Sequence, residues 1–446
     1  MATKLAHQPS PAQLFAWLLI DPQSPKLVGE IIRQSNGDVG LHYDASWLAN
    51  GFALSDDMPL EALTFTPVHH QGRQSGAPGA LDDARPDRWG EKVIRYLYKP
   101  AATVFDHLYF AGDERFGALG VSTSNSAYTP YMERALPRLE DAADLNAAVQ
   151  IIETGEGELQ AQQRALIGAG GSLGGAKPKA AIAIDGEEWV LKFYNDEPFD
   201  LPLVEHATMT LAHLAGIRVA RTLPVPLQKE HALAVQRFDR KSDGKGGLRV
   251  HSISACTLLR SEVPQGMEPE FGYPHLARAL RRSADPRTLD AQLRELFRRM
   301  VFNILMANTD DHEKNHALLC RVNGRTMQLE LSPAYDMVPT GSGALEHQFM
   351  VSEDSREPSL VQAMSGAETF NLSPADAASE VIQIIAVVND WQAHFRTIGV
   401  TERDIVEVAA LVDAPTLLAQ RQAFRAEDYV GGKTRRKSGA GAKAFR

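Results

Sequence analysis

Short alternating apolar runs broken by turns dominate the first half of the chain, and helical spacing takes over in the second. Positions 27–33 and 39–43 read as strands joined at Asn36-Gly37, because Asn-Gly supplies the left-handed backbone that a tight hairpin needs. A helix opens within 87–94, with Trp89 as a core anchor, and 116–121 reads as the last strand of this part. Residues 127–165 predict a helical connection with acidic faces. A second hairpin follows: Ala180-Ala181-Ile182-Ala183-Ile184, a turn at Asp185-Gly186, then Trp189-Val190-Leu191-Lys192-Phe193. A helix over 204–214 comes next, then a strand over 231–235 that ends in a polar turn. Leu289, Leu293, Leu296, Phe297, Met300, Val301, Ile304 and Leu305 recur at three- to four-residue spacing, which buries one face of a helix. Ser373 and Pro374 supply an N-cap and a first-turn proline for a helix through 388. No internal repeat is found. The breaks divide the chain into 1–125, 126–240, 241–430 and 431–446, an α+β organisation.

At 446 residues the chain exceeds one compact core, in keeping with several subdomains. Cys256 and Cys320 are too few for a disulfide framework or a zinc site and read as buried thiols. His69-His70, in a loop rich in Pro, Gly and polar residues over 69–79, has no further ligand at metal spacing and reads as solvated. The apolar run 14–20 is too short to cross a bilayer, and no secretory signal is seen, so a cytoplasmic protein without a membrane partner is expected. Residues 241–247 read as a small flexible loop. The tail carries Lys433, Arg435, Arg436, Lys437, Lys443 and Arg446 and no acid, and is expected to be disordered. Those six charges leave the rest of the chain at −16 against −10 overall, which argues against direct nucleic-acid binding by the body.

Candidate chemistry concentrates in five segments. In Asn308-Thr309-Asp310-Asp311-His312-Glu313-Lys314-Asn315, an Asp precedes an Asn by five residues, and Asp336 follows in Pro333-Ala334-Tyr335-Asp336. Metal-dependent phosphoryl transfer needs such a set: one carboxylate to orient or deprotonate the acceptor, and an Asn and a second carboxylate to hold Mg²⁺ against phosphates. Upstream lies the most Gly-dense stretch, 167–179, whose backbone amides can approach phosphate oxygens closely. It matches neither the P-loop nor the GxGxxG pattern. Lys192 sits inside an apolar strand, suited to the α- and β-phosphates, with Glu205 as its expected ion-pair partner. Gln236, Arg237 and Phe238 suit a hinge whose backbone meets adenine.

Taken in order, Ser172-Leu173-Gly174-Gly175-Ala176-Lys177-Pro178-Lys179, Val190-Leu191-Lys192, Val235 to Arg240, Asn308 to Asn315 and Pro333 to Asp336 resemble the HipA family of serine/threonine kinase toxins. The resemblance runs from about residue 29 into the 410s. It implies a bilobal kinase-like fold with an added N-terminal β-rich subdomain (1–125), a nucleotide-binding lobe (126–240) and an all-helical catalytic lobe (241–430). It implies ATP and Mg²⁺ as cofactors. Gly174, Gly175, Ala176, Lys177, Pro178 and Lys179 would cover the phosphates, and Lys192 would contact them. Asp310 would be the catalytic base. His312, Glu313, Lys314 and Asn315 would lie near nucleotide and metal, Tyr335 and Asp336 would close the site, and Asn315 and Asp336 would bind the ion.

Ser172 falls where family members autophosphorylate; about −1.5 to −2 charge there would repel ATP and pull the loop outward. A helix-turn-helix antitoxin, HipB-like, would be the partner, with DNA reached through it. The substrate would be a cellular protein, by resemblance an aminoacyl-tRNA synthetase, and its phosphorylation would arrest growth. Two features depart from the family. Asp311 adjoins Asp310, where a small or different residue is usual, and Gln236 replaces a frequent hinge acid. A small-molecule or lipid kinase, or a non-catalytic nucleotide-binding co-repressor, would use the same residues.

Overall fold

The computed structural model describes residues 10–429 except 70–75, 99–102, 132–134, 172, 195–196, 229, 243–246, 268–269 and 341–345. Ser172, His70 and the basic tail 431–446 therefore lie outside the described residues.

The N-terminal part holds a five-stranded antiparallel sheet of β1 (Leu14–Leu18), β2 (Lys26–Arg33), β3 (Val39–Tyr43), β4 (Thr64–Phe65) and β5 (Leu119–Ser122), in the order β4-β3-β2-β1-β5. Gly37 takes φ +93° in the expected turn, a value glycine adopts without a Cβ clash. His69 lies 2.8 Å from Asp38, and among the described residues no group of three His, Cys, Asp or Glu side chains is placed to hold a metal.

The second sheet is β6-β7-β9-β8, built from β6 (Lys179–Ile184), β7 (Glu187–Lys192), β8 (Thr222–Pro226) and β9 (His231–Gln236). Asp185 and Gly186 form the two-residue turn with φ +52° and +81°, the primed geometry that matches strand twist. This sheet does not bury itself alone. Ile182, Trp189 and Leu191 share a core with Leu145, Val149 and Ile152 from helix Ala142–Thr154 and with Trp89, Val93 and Leu97 from helix Trp89–Leu97. The N-terminal part thus contributes one helix directly to the back of the nucleotide lobe.

The third part is mostly helical, but the all-helical expectation is corrected. After a short ladder of β10 (Arg240–Lys241) and β11 (Leu248–Arg249), β12 (Ser252–Ser254), β13 (Ala317–Asn323) and β14 (Thr326–Leu331) form an antiparallel sheet. A two-residue turn at Gly324-Arg325 joins β13 to β14, with Gly324 at φ +60°. Asn323-Gly324 between two apolar runs carried the hairpin signal in the sequence. The expected helices occupy Leu201–Leu214, Leu289–Leu305 and Pro374–Asn389, the last capped by Ser373. Among the described residues no helix is long and apolar enough to cross a membrane. Cys256 and Cys320 are buried free thiols, and burial raises the Cys320 thiol above its usual range.

Candidate active site

Helix Leu289–Leu305 aims the segment that follows it. Leu293, Leu296, Phe297, Met300, Val301, Ile304 and Leu305 are fully buried, so the helix cannot shift without opening the core. It ends in a Schellman motif: the N–H of Asn308 donates to the carbonyl of Asn303 (3.0 Å) and that of Ala307 to Ile304 (3.2 Å). The left-handed position falls on Ala307 at φ +54°, where glycine is usual, a strain of about 1–2 kcal/mol. Thr340 then accepts on Oγ1 from the N–H groups of Thr309 (2.9 Å) and Asp310 (3.2 Å). The chain at 347–350 fastens the other edge, Gln348 N–H donating to Thr309 and Phe349 N–H to Asp311.

Within this loop the two adjacent aspartates part company. Asp311 is buried, accepting from the Tyr273 hydroxyl and lying 3.2 Å from His316 Nε2. Burial alone would raise its carboxyl pKa, but His316 and Tyr273 outweigh this and hold it below the usual range. Asp310 is exposed, with its Oδ1 accepting from Gln348 Nε2 at 2.5 Å. Asn315 Nδ2 reaches the Asp310 carbonyl at 3.4 Å, which ties the two ends of the five-residue step together. His312 Nδ1 accepts from Lys314 N–H, and Glu313 is buried beneath.

Across the cleft, Lys192 is buried at the end of β7. Its Nζ donates to Glu205 Oε1 at 2.8 Å and to Asp336. Glu205 is 1% exposed and also accepts from the Tyr194 hydroxyl at 2.5 Å, so both carboxylate oxygens are satisfied. Asp336 sits at φ +56°, in the left-handed region that Asp tolerates better than most residues, and its carbonyl accepts from Asn308 Nδ2 at 3.3 Å. Lys179 is the direct cross-strand partner of Lys192. Burial first, and then the neighbouring charge of Lys192, push the Lys179 ammonium down to about 8. Two lysines directly opposite on one sheet face repel, so the arrangement favours an anion between them and the loop above.

Gly175, at φ +113°, arches over this pair, and a Cβ there would collide with Lys179 Nζ. The Gly-rich loop does not act as one unit. Lys177 turns away to Glu197 and the ring of Tyr194, Ala176 is exposed, and Pro178 accepts through its carbonyl from Phe193 N–H.

The expected hinge segment 236–238 is tied into the sheet and to the N-terminal part. The N–H of Gln236 donates to Arg221 and that of Arg237 to Glu188, and the Arg237 side chain is buried against Asp239, Glu114 and the Arg115 carbonyl. Two of the backbone N–H groups in the expected hinge are therefore engaged within the protein. The Phe238 ring lies against Tyr335 (centroids 5.4 Å apart), whose hydroxyl donates to the Lys314 carbonyl at 2.8 Å.

This geometry meets its counterpart among known proteins. The HipA N-terminal domain model matches residues 23–122 and the HipA-like C-terminal domain model residues 171–392. The chain belongs to the HipA family. It is 24% identical over 370 residues to the serine/threonine-protein kinase toxin HipA of Shewanella oneidensis, covering 76% of this chain and 79% of that one. A putative kinase of Sinorhizobium fredii, Y4dM, is 28% identical over 255 residues, 53% of this chain and 59% of the relative. The fold superposes on Shewanella oneidensis HipA, solved with HipB and its operator DNA, with a TM-score of 0.63 at 18% identity over 92% of this chain and 97% of that one. The expected family and α+β kinase-like fold are borne out.

Several contacts around these residues escaped the sequence reading. Asp87 touches both Gly175 and Lys314, Trp89 holds the Gly-rich loop, Tyr194 supports Glu205, and Gln348 bonds Asp310. None lies at motif spacing from its partner. Only Trp89 left a trace in the sequence, as an expected core residue.

Proposed function

We propose that the protein transfers the γ-phosphoryl group of ATP to a serine or threonine hydroxyl of another protein. The observation that carries this reading is the facing of Lys179 and Lys192, under Gly175, with Asp336 bonded to Lys192. Lys179, Lys192 and the backbone of Gly174 bind the phosphates, with Gly175 shaping the arch above them, Phe238 and Tyr335 enclose the base, and Asp310 orients the acceptor hydroxyl and takes its proton. The oxygens of Asn315 and Asp336 suit Mg²⁺, which keeps few protein ligands and completes its shell with phosphate and water. The ion, when bound, neutralises charge on the β- and γ-phosphates. Lys192 keeps Glu205 as its anchor when its contact to Asp336 gives way to phosphate.

Family membership supports the further reading. Phosphorylation of a cellular protein, by resemblance an aminoacyl-tRNA synthetase, arrests growth, and phosphorylation of Ser172 shuts the site. A HipB-like helix-turn-helix antitoxin binds the kinase and carries any contact with DNA; the Shewanella oneidensis HipA was solved in complex with HipB and its operator DNA. The test is intact mass and peptide mapping after incubation of dephosphorylated protein with Mg-ATP. A phosphate gained on Ser172, absent from Asp310→Asn, supports the reading. No transfer to itself or to any protein of a cell extract sinks it.

Lys179 also sets a pH dependence. Its ammonium is charged below pH 8 and neutral above, so the phosphates lose a cation as pH rises. Calorimetric titration should show ATP affinity falling about tenfold from pH 7 to pH 9, as the protonated fraction does. In Lys179→Met the fall should disappear, with weaker binding throughout.

A further inference from the structure

We propose that Asp87, from the N-terminal part, is a positioning residue of the nucleotide site that holds the phosphate-binding loop and the catalytic loop in register. The inference rests on the ATP-binding reading above and adds a residue that lies outside the span matched by the HipA-like C-terminal domain, 171–392.

The two oxygens of Asp87 serve different lobes. Oδ1 accepts from the backbone N–H of Gly175, at the arch of the Gly-rich loop. Oδ2 accepts from Lys314 Nζ at 2.7 Å, next to Asn315 in the catalytic loop. The grip on the loop is double, because Trp89 N–H donates to the Gly175 carbonyl at 3.1 Å. Trp89 Nε1 then reaches the Lys179 carbonyl at 2.8 Å, where the loop becomes β6. Both polar groups of the Gly175 peptide are thus held by a three-residue stretch distant in sequence.

Gly174 adds a steric reason. A Cβ there would lie 3.0 Å from Asp87 Oδ1, tighter than nearly all real contacts, so the close approach uses the glycine. Between Asp87 and Trp89, Arg88 adopts φ +36°, a backbone state that costs a non-glycine residue and persists only where its surroundings enforce it. The buried helix Trp89–Leu97 supplies that enforcement, since Trp89, Val93 and Leu97 pack into the core of the second sheet.

A Gly-rich loop loses more backbone freedom on ordering than any other. Ordering it before nucleotide arrives removes that loss from the binding step. A carboxylate bridging Gly175 and Lys314 also prevents the lysine from drifting into solvent, where it is half exposed.

The experiment compares Mg-ATP and adenosine binding by calorimetry in wild type, Asp87→Ala, Asp87→Asn and Lys314→Met. Loss of the charge-assisted bonds should weaken Mg-ATP about tenfold or more in Asp87→Ala. Adenosine, which does not reach the loop, should bind as in wild type. Asp87→Asn, which keeps an acceptor for Gly175 but not the charge for Lys314, should fall between. Asp87→Ala combined with Lys314→Met should be weaker than either alone by less than the product of the two effects. Unchanged or tighter Mg-ATP binding in Asp87→Ala overturns the proposal, the tighter case meaning that the carboxylate competes with phosphate. Equal weakening of adenosine also overturns it, as does an Asp87→Asn variant that melts like wild type and binds Mg-ATP equally well. Wild type that binds no Mg-ATP would instead refute the kinase reading itself.

Discussion

Asp310→Asn should abolish most phosphoryl transfer and leave the fold untouched, whereas Asp311→Asn should unfold the catalytic loop. A positioned general base contributes roughly 10²–10⁴ in rate. The Asp310 side chain is exposed, and its partner Gln348 can bond an amide as well as a carboxylate. Its replacement should therefore shift the thermal midpoint very little. Asp311 is buried between Tyr273 and His316. Asparagine keeps one acceptor oxygen but sets an amide donor in place of the other, so at least one of these contacts is lost, at a cost of about 1–3 kcal/mol for a buried group left unsatisfied.

The depressed Asp311 carboxyl adds a sign. Its folded pKa lies below the unfolded value, so its stabilisation is complete at neutral pH and is lost as pH falls through the acid range. Wild type should lose stability on acidification below the ordinary carboxylate range more steeply than Asp311→Asn. Urea melts at several pH values, beside a phosphoryl-transfer assay, check both halves. A variant Asp310→Asn with wild-type turnover would remove Asp310 from the catalytic role.

Lys192→Met should cost activity and stability together. A cation aimed at charge that develops in the transition state is worth about 10²–10³ in turnover. Its loss also strands Glu205, which is 1% exposed and loses its charged hydrogen-bond partner while keeping the Tyr194 hydroxyl. Breaking a buried pair from one side costs about 3–5 kcal/mol, because the remaining charge is uncompensated. The double variant Lys192→Met, Glu205→Gln should recover much of the stability and none of the activity. Chemical denaturation and transfer assays on the three proteins separate the effects. A double variant no more stable than Lys192→Met would mean that Glu205 is not stabilised chiefly by the lysine.

Local signals were strong where one short stretch determines its own geometry. The Asp185-Gly186 turn, seven of the buried positions of helix Leu289–Leu305 and the Ser373 cap each depend on neighbours a few residues away, and each was legible. The pairing of Lys192 with Glu205 was legible too, since a lysine inside an apolar strand needs a buried counter-charge. The β12–β14 sheet was missed although Asn323-Gly324 announced its hairpin, because the helical pattern on either side masked six- and seven-residue strands.

By itself, then, the sequence determined the family, the order of the chemical parts and the hairpins and helices that carry them. Only the tertiary structure showed how differently Asp310 and Asp311 are placed, one exposed and the other buried. The chain places them side by side, and what separates them is Tyr273 and His316 gathered around one and solvent around the other. The same holds for Asp87. Its partners Gly175 and Lys314 stand 88 and 227 positions away, and contacts at such separations come from the packing of whole elements, which no local periodicity encodes.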